Sequence, residues 1–142
     1  MPTFEDAIAL AALAHKGQYD LAGAPYICHP MRVALAQTDD RARIVAILHD
    51  VVEDTFITYE DLTKAGFDEE IIAAVEALTK RPGEKRIDAA VRAKTNSLAL
   101  QVKLADVADN MNLARMSNPT AEDFARLQEY EGVLAFLQGR IS

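Results

Sequence analysis

The sequence of 142 residues has one cysteine and no tryptophan, and no apolar run in it is long enough to span a membrane. Because Cys28 has no partner in the chain, an internal disulfide is excluded and a reducing compartment is expected. The first ten residues contain acidic rather than basic side chains, which is not typical of a secretion signal. These absences predict a cytoplasmic protein that does not enter a membrane.

Positive charge is also scarce, since 15 Lys and Arg against 22 Asp and Glu give a net charge of −7. This balance argues against nucleic acid or an anionic membrane as a major partner. Residues 80–94 are the exception, because this segment contains six basic and two acidic side chains. The segment suits a small anionic ligand, although a basic helix face in contact with solvent explains it equally well.

Glycine and proline are few, and they fall between segments that have helical periodicity. Seven or eight short helices are predicted, and most begin at a side chain able to cap a helix, such as Thr3, Thr58, Asp68 or Thr120. No segment shows the strict alternation of a half-buried strand. We therefore expect an all-α fold, a compact single-domain bundle of about seven or eight helices that extends over residues 1–142.

Ionisable residues interrupt the apolar helix predicted over residues 41–54. His49 and Asp50 follow a run of apolar residues, and Glu53 and Asp54 come one turn later. At helical spacing these four side chains would share one face. Burying four such groups without a compensating cation would be costly.

A second polar stripe lies on another predicted apolar helix. Lys103, Asp106 and Asn110 are three and four residues apart and would share a face. His29 supplies a third candidate, at the end of the loop over residues 17–28, which contains two glycines and a proline. Ionisable groups in apolar surroundings are more informative than the many solvated charges elsewhere in the chain.

Two imidazoles and two carboxylates, those of His29, His49, Asp50 and Asp106, form a mixed nitrogen and oxygen ligand set. Such a set suits one divalent first-row ion. Four protein ligands on an octahedral ion leave positions for water and for a substrate oxygen, and the ion would polarise a phosphoryl group. Taken alone, each residue also has an ordinary structural interpretation, such as an ion pair between Asp106 and Lys103.

Glu53 and Asp54 lie one turn beyond the His-Asp pair, where they could accept the proton of an attacking water molecule. The third histidine, His15, is interpreted as structural. It lies at the end of the first predicted helix, where a positive-leaning side chain is favoured.

Three segments occur in a recognisable order: GAPYICHP at 23–30, LHDVVEDT at 48–55 and KLADVADN at 103–110. In sequence and spacing they resemble the HD hydrolase domain of the alarmone enzymes. These enzymes are the stringent-response synthetase/hydrolases and the small stand-alone alarmone hydrolases. The resemblance covers roughly residues 4–115 and implies a bundle of helices.

The resemblance implies that the four proposed ligands hold one Mn²⁺ ion, while the chemistry of the ligand set also suits Fe²⁺, Ni²⁺ or Zn²⁺. It also implies that Glu53 and Asp54 activate water. The family reaction removes pyrophosphate from the 3′ position of guanosine 3′,5′-bis(diphosphate), ppGpp. The candidate substrate-binding residues are Asn110, Lys103, Tyr26 and Arg81.

Two adjacent positions depart from the family pattern. Two and three residues after the glutamine that matches Gln18, the family usually has a basic pair, whereas this chain has Asp20 and Leu21. An acid there would repel a polyphosphorylated nucleotide and cannot stack on a base as a cation does.

Three functions therefore stay open: a ppGpp hydrolase, an HD phosphohydrolase of another small phosphorylated metabolite, and a catalytically silent sensor that binds a metal and a nucleotide. The complete ligand set and the two proton acceptors favour hydrolysis. The expected partner is a small anionic nucleotide or phosphorylated metabolite, and a homo-oligomer is neither predicted nor excluded.

Overall fold

A computed structural model describes residues 1–141 and has the all-α fold that the sequence predicts. Within residues 1–141, eight α-helices have seven or more residues, another is a single turn, and a short 3₁₀ helix precedes the last helix. Residues 1–141 form no β-strand, only an isolated antiparallel bridge between Tyr19 and Pro25. The elements are α1 (Phe4–Ala14), α2 (Cys28–Leu35), α3 (Asp40–Leu48), α4 (Val51–Asp54), α5 (Tyr59–Ala65), α6 (Glu69–Leu78), α7 (Arg86–Lys94), α8 (Ser97–Asn110), the 3₁₀ helix (Leu113–Arg115) and α9 (Ala121–Leu137).

Side-chain caps begin most of the helices. Thr3, Thr58 and Thr120 each form a capping box with the aspartate three residues later. Asp39 and Asp68 accept backbone N–H groups at the starts of α3 and α6. Each such cap contributes about 1 kcal/mol, so the helix starts are encoded locally.

Helix α3 is the centre of the bundle. Its residues 44–48 are all buried, and it packs against α1, α2, α6 and α8. A helix that is apolar around its whole circumference is stable only when other elements surround it. A smaller apolar cluster joins α7, α8 and α9. Helices α2 and α8 pack against each other and against α3. This packing brings the segments that contain His29, His49 and Asp106 side by side.

The helix predicted over residues 41–54 is interrupted at its chemically important residues. Helix α3 ends before His49, and α4 begins after Asp50. In a continuous helix the carbonyl of Ala46 would accept the N–H of Asp50. Here that carbonyl lies 2.5 Å from Nδ1 of His49 and 3.4 Å from the His49 backbone N. Because the imidazole competes for this acceptor, His49 and Asp50 lie in a turn and not on a straight helical stripe.

None of the helices within residues 1–141 is both long and apolar enough to cross a membrane. Helix α8 ends at Asn110, and the chain continues into the 3₁₀ helix.

Candidate metal centre and active site

His29, in the first turn of α2, contacts a carboxylate with each ring nitrogen. Its Nδ1 lies 2.7 Å from Oδ2 of Asp109, and its Nε2 lies 2.9 Å from Oδ1 of Asp106. A protonated ring can donate from both nitrogens. If the proton on Nε2 is lost, Nδ1–H still donates to Asp109 and the Nε2 lone pair is free to bind a cation.

His49 is buried, and its ring is held by one backbone hydrogen bond. Nδ1 donates to the carbonyl of Ala46, whereas Nε2 has no hydrogen-bond partner among residues 1–141. Nε2 lies 3.0 Å from Oδ2 of Asp50 and 3.4 Å from Oδ1 of Asp106. A buried nitrogen without a partner that faces two carboxylates is suited to a cation placed between them.

Three of the proposed ligands form a buried group. The ligand atoms of His29, His49 and Asp106 all lie within 4.8 Å of one another. Two ligands about 2.1 Å from one ion, at right angles, are about 3.0 Å apart. The separations of 2.9 and 3.4 Å from Asp106 to the two imidazoles are close to this value. The residues therefore fit a divalent metal ion, and such a mixed set does not select one metal.

Asp50, the fourth proposed ligand, borders this group. Its Oδ2 lies 3.0 Å from Nε2 of His49 and 3.9 Å from Nε2 of His29. The same oxygen accepts a hydrogen bond of 2.5 Å from Oη of Tyr26. Asp50 therefore remains a predicted ligand, held by a phenol that donates to it.

The carboxylates favour protonated imidazoles in the metal-free protein. Burial by itself would lower the pKa of His49, but the negative charges of Asp50 and Asp106 outweigh burial and raise that pKa well above its ordinary value. Burial would raise the pKa of Asp106, but Lys103 and the two imidazoles hold it well below its ordinary value. A divalent ion would supply the positive charge that these protons provide.

Two of the predicted substrate-binding residues, Lys103 and Asn110, contact Asp106. Lys103 Nζ lies 3.1 Å from Asp106 Oδ2, and Asn110 Nδ2 donates to Asp106 Oδ1 over 3.2 Å. Like Tyr26, both also line the cavity described below. These contacts orient the carboxylate, while a direct role in binding substrate stays a prediction.

Glu53 and Asp54 lie at the same cavity but have different surroundings. Oε1 of Glu53 accepts the backbone N–H of Lys80 at 2.7 Å. Burial, together with the negative charges of Asp50 and Glu53, raises the pKa of Asp54 to about 6. A carboxylate with this pKa is well matched to accepting a proton near neutral pH.

His15 and Gln18 contact the residues that surround Asp54 and Tyr26. His15 Nδ1 lies 2.8 Å from Gln18 Oε1, and Gln18 Nε2 donates to the carbonyl of Asp54 at 2.8 Å. The His15 ring packs 5.0 Å from the ring of Tyr26. The structural interpretation of His15 agrees with these contacts, since they join the end of α1 to the backbone of Asp54 and to the ring of Tyr26.

A cavity of about 430 Å³ opens above the metal group. Arg81, predicted to bind substrate, is exposed and does not line it, and its backbone N–H donates to Glu84. Lys80 and Arg86 of the same basic segment do line it. The basic residues of the cavity wall are Arg32, Lys80, Arg86, Lys103, Arg115 and Arg126.

Other basic residues of the 80–94 segment have structural partners. Arg92 pairs with Glu84 and donates to the carbonyl of Thr79. Lys94 donates to the carbonyl of Phe136. The segment therefore lies partly in the cavity wall and partly in structural contacts. Arg86 takes part in both, since its Nη1 also donates to Oε2 of Glu129 at 2.7 Å.

Asp20 and Leu21, the two departures from the family pattern, both lie in the cavity wall. Oδ1 of Asp20 accepts the backbone N–H groups of Ala22 and Ala24, each at 2.9 Å. This carboxylate therefore fixes the loop that follows, in addition to placing negative charge beside the cavity.

Asp109 and its partner Arg32 belong to this site, and the sequence analysis singled out neither of them. Asp109 contacts His29 and is also bound by the guanidinium of Arg32. Its spacing of three residues from Asp106 places both on one face of α8, and this signal was present in the sequence.

This geometry agrees with what comparisons with known proteins show. A family model described as HD domain matches residues 7–137. The chain belongs to the HD domain family. It is 30% identical over 140 residues to the guanosine-3′,5′-bis(diphosphate) 3′-pyrophosphohydrolase MESH1 of Drosophila melanogaster, with 89% of this chain and 78% of that protein covered.

Other relatives are similar in fold or in part of their length. A solved structure of a metazoan orthologue of SpoT, described as hydrolysing ppGpp, matches with a TM-score of 0.75 and 25% identity, and covers 94% of this chain and 84% of that one. The guanosine-3′,5′-bis(diphosphate) 3′-pyrophosphohydrolase of Borreliella burgdorferi is 44% identical over 78 residues, which are 52% of this chain. The chain spans only 12% of that bacterial relative and 10 to 17% of two others.

Proposed function

We propose that this protein is a metal-dependent phosphohydrolase that removes the 3′-pyrophosphate of ppGpp. The observation that carries the proposal is the buried group of His29, His49 and Asp106 at a cavity that also contains Glu53 and Asp54. The similarity to the fly 3′-pyrophosphohydrolase extends over most of both chains, which supports ppGpp as the substrate.

We further propose that the metal ligands are His29, His49, Asp50 and Asp106, and that the ion is Mn²⁺. The partnerless Nε2 of His49 and the two carboxylates around it support this assignment. When bound, the ion would polarise a phosphoryl oxygen and make water a better nucleophile. Tyr26 and Lys103 hold the two carboxylates in place by donating to them.

Asp54 is the proposed proton acceptor for the attacking water. Its pKa of about 6 keeps it ionised at neutral pH and still basic enough to take a proton. Glu53 is fixed by the backbone N–H of Lys80, so one of its oxygens is already engaged. Glu53 therefore serves better to orient water and to keep Asp54 basic than to transfer the proton itself.

The cavity wall contains basic residues that would suit a substrate with two diphosphates, although Arg86 and Arg126 also pair with Glu129 and Asp123. Arg86 lies with its guanidinium 4.9 Å from the Tyr130 ring centroid, and Lys80 and Arg126 also line this wall. Asn110 remains the proposed nucleotide contact.

Asp20 in the cavity wall favours a second candidate, hydrolysis of another small phosphorylated metabolite at the same centre. Its negative charge disfavours a ligand with as many phosphates as ppGpp.

A hydrolysis screen with Mn²⁺ across ppGpp, ordinary nucleotides and sugar phosphates tests the proposal. We expect turnover to be highest with ppGpp and to be lost in the His49→Ala variant. A higher kcat/KM with a different phosphorylated metabolite would favour the second candidate. Absence of hydrolysis of every compound by metal-loaded protein would favour the silent sensor.

A further inference from the structure

Asp109 occupies the side of His29 that faces away from the proposed ion. Its Oδ2 lies 2.7 Å from Nδ1 of His29, the nitrogen that is not directed at Asp106. Its side chain is 13% exposed, and it is absent from the wall of the cavity. A substrate in the cavity therefore has no direct contact with this carboxylate.

Two arginines hold Asp109 in place. Arg32 donates through Nε to Oδ1 at 2.7 Å and through Nη2 to Oδ2 at 3.0 Å, a two-pronged contact that fixes the plane of the carboxylate. Arg115 donates to the backbone carbonyl of Asp109 at 3.3 Å and lies 3.6 Å from Oδ2. The carboxylate is thus a rigid, charged acceptor.

We propose that Asp109 is a positioning residue of the metal centre, which accepts the Nδ1–H of His29 and so directs the Nε2 lone pair of that ring at the ion. The proposal rests on the metal centre of the proposed function and is independent of the substrate. Asp109 acts through His29, and Arg32 in turn acts through Asp109.

The placement of Asp109 on α8 explains how one helix can set the geometry of two ligands. Asp106 and Asp109 are one turn apart, so α8 supplies a proposed ligand directly and orients a second ligand, His29, that belongs to α2. Without the Asp109 contact, the imidazole could rotate or carry its proton on Nε2, and neither state can bind an ion.

The affinity for Mn²⁺, measured by electron paramagnetic resonance of the free ion without substrate, tests this role. Loss of a partner that orients a ligating histidine typically weakens metal binding by about 10- to 100-fold. We expect a loss in this range for Asp109→Ala. A smaller loss is expected for Asp109→Asn, because the amide oxygen can still accept the Nδ1–H.

Asp40→Asn is the matched control. Asp40 also pairs with an arginine, Arg43, at 2.9 Å, but it is exposed and lies at the start of α3. Its substitution should leave Mn²⁺ affinity unchanged. A loss of less than fivefold in folded Asp109→Ala, or an equal loss in the control, would overturn the proposal.

The tautomer of His29 gives a readout that does not depend on the stability of a variant. Nitrogen-15 NMR of the metal-free wild-type protein, at a pH where the ring is neutral, should show the proton on Nδ1. A proton on Nε2 would overturn the proposal even if Asp109→Ala did not fold.

These results are separable from the fate of the proposed function. Wild-type protein that binds Mn²⁺ and fails to hydrolyse ppGpp would contradict the substrate and leave the role of Asp109 intact. Normal ppGpp turnover by the wild-type protein, together with an unchanged Mn²⁺ affinity in Asp109→Ala, would support the substrate and contradict the role of Asp109.

Discussion

At the scale of single residues, Asp20 has two effects that one substitution can separate. Its Oδ1 organises the loop through Ala22 and Ala24, and its charge lies in the cavity wall. An arginine at this position would supply a cation but would lose both loop contacts. An asparagine keeps the accepting oxygen and removes only the charge.

We therefore predict that Asp20→Asn lowers the KM for ppGpp. Removal of one like charge within several ångströms in a solvated cavity is worth about 1 kcal/mol, or about fivefold in affinity. Steady-state kinetics check this, with Asp20→Ala as the comparison that loses the loop contacts as well. An unchanged KM in Asp20→Asn would mean that the charge does not act on the substrate.

Asp54 and Glu53 have different surroundings, so we expect their variants to lose different amounts of activity. We predict that Asp54→Asn keeps metal affinity and lowers kcat by about 10²- to 10⁴-fold, the usual contribution of a general base. Glu53→Gln should also lower turnover, but by less, since it retains an oxygen that accepts the N–H of Lys80. Full kcat in Asp54→Asn would assign the proton transfer to another group.

The pH profile adds a check with a definite sign. A base must be ionised to act, so a raised pKa removes activity on the acid side. Burial and the charges of Asp50 and Glu53 raise the pKa of Asp54 to about 6 without metal, and a bound cation lowers it. With Mn²⁺ kept saturating at every pH, so that protonation of the ligands does not remove the ion, the acid limb of kcat/KM should therefore lie at or below pH 6. An acid limb well above pH 6 would contradict the assignment.

At the scale of elements, α3 forms the centre of the apolar core and also positions His49 of the metal group. Leu48 is fully buried and directly precedes His49. We predict that Leu48→Ala lowers the free energy of unfolding by about 2–5 kcal/mol, through lost burial and a cavity. Leu35→Ala is the control, because Leu35 is 68% exposed and its loss should change stability by less than about 0.5 kcal/mol. Urea unfolding measures both, and equal effects would contradict this view of the core.

The helices could be predicted because their determinants are local. Thr3, Thr58 and Thr120 cap helices with partners three residues away, and the apolar periodicity of each helix is visible in the sequence. The break at His49 could not be predicted from periodicity, since it depends on an imidazole that takes the carbonyl of Ala46. The assumption of one straight helical face was therefore wrong there.

The proposed ligands were found from sequence because ionisable groups in apolar segments are rare, and the motif order supported them. Their partners were harder to find. Asp109 and His29 are 80 residues apart, and Glu53 meets the backbone of Lys80, so only the tertiary fold brings them together. The tertiary fold also decides which basic residues of this segment line the cavity. Lys80 and Arg86 do so, and Arg81 does not.

At the scale of the whole molecule, a metal ion would join α2, the turn between α3 and α4, and α8. We predict that Mn²⁺ raises the unfolding temperature, with a stabilisation of about 2.7 kcal/mol at 100 times its Kd. The proposed ligand His49 has a raised pKa in the metal-free protein and must lose a proton to bind the ion. Metal affinity should therefore increase as the pH rises from 6 to 8, measured by calorimetry. An affinity that is constant or falls over this range would contradict the ligand set.

In the proposed reaction, the protein removes pyrophosphate from the 3′ position of ppGpp at its metal group. The most direct measurement is chromatography of the products after incubation of the full chain with ppGpp and Mn²⁺, with a chelator and the Asp106→Ala variant as controls. The predicted result is GDP and pyrophosphate in equal amounts, formed only by the wild-type protein with metal. Release of orthophosphate, or product formation that persists in both controls, would contradict the account.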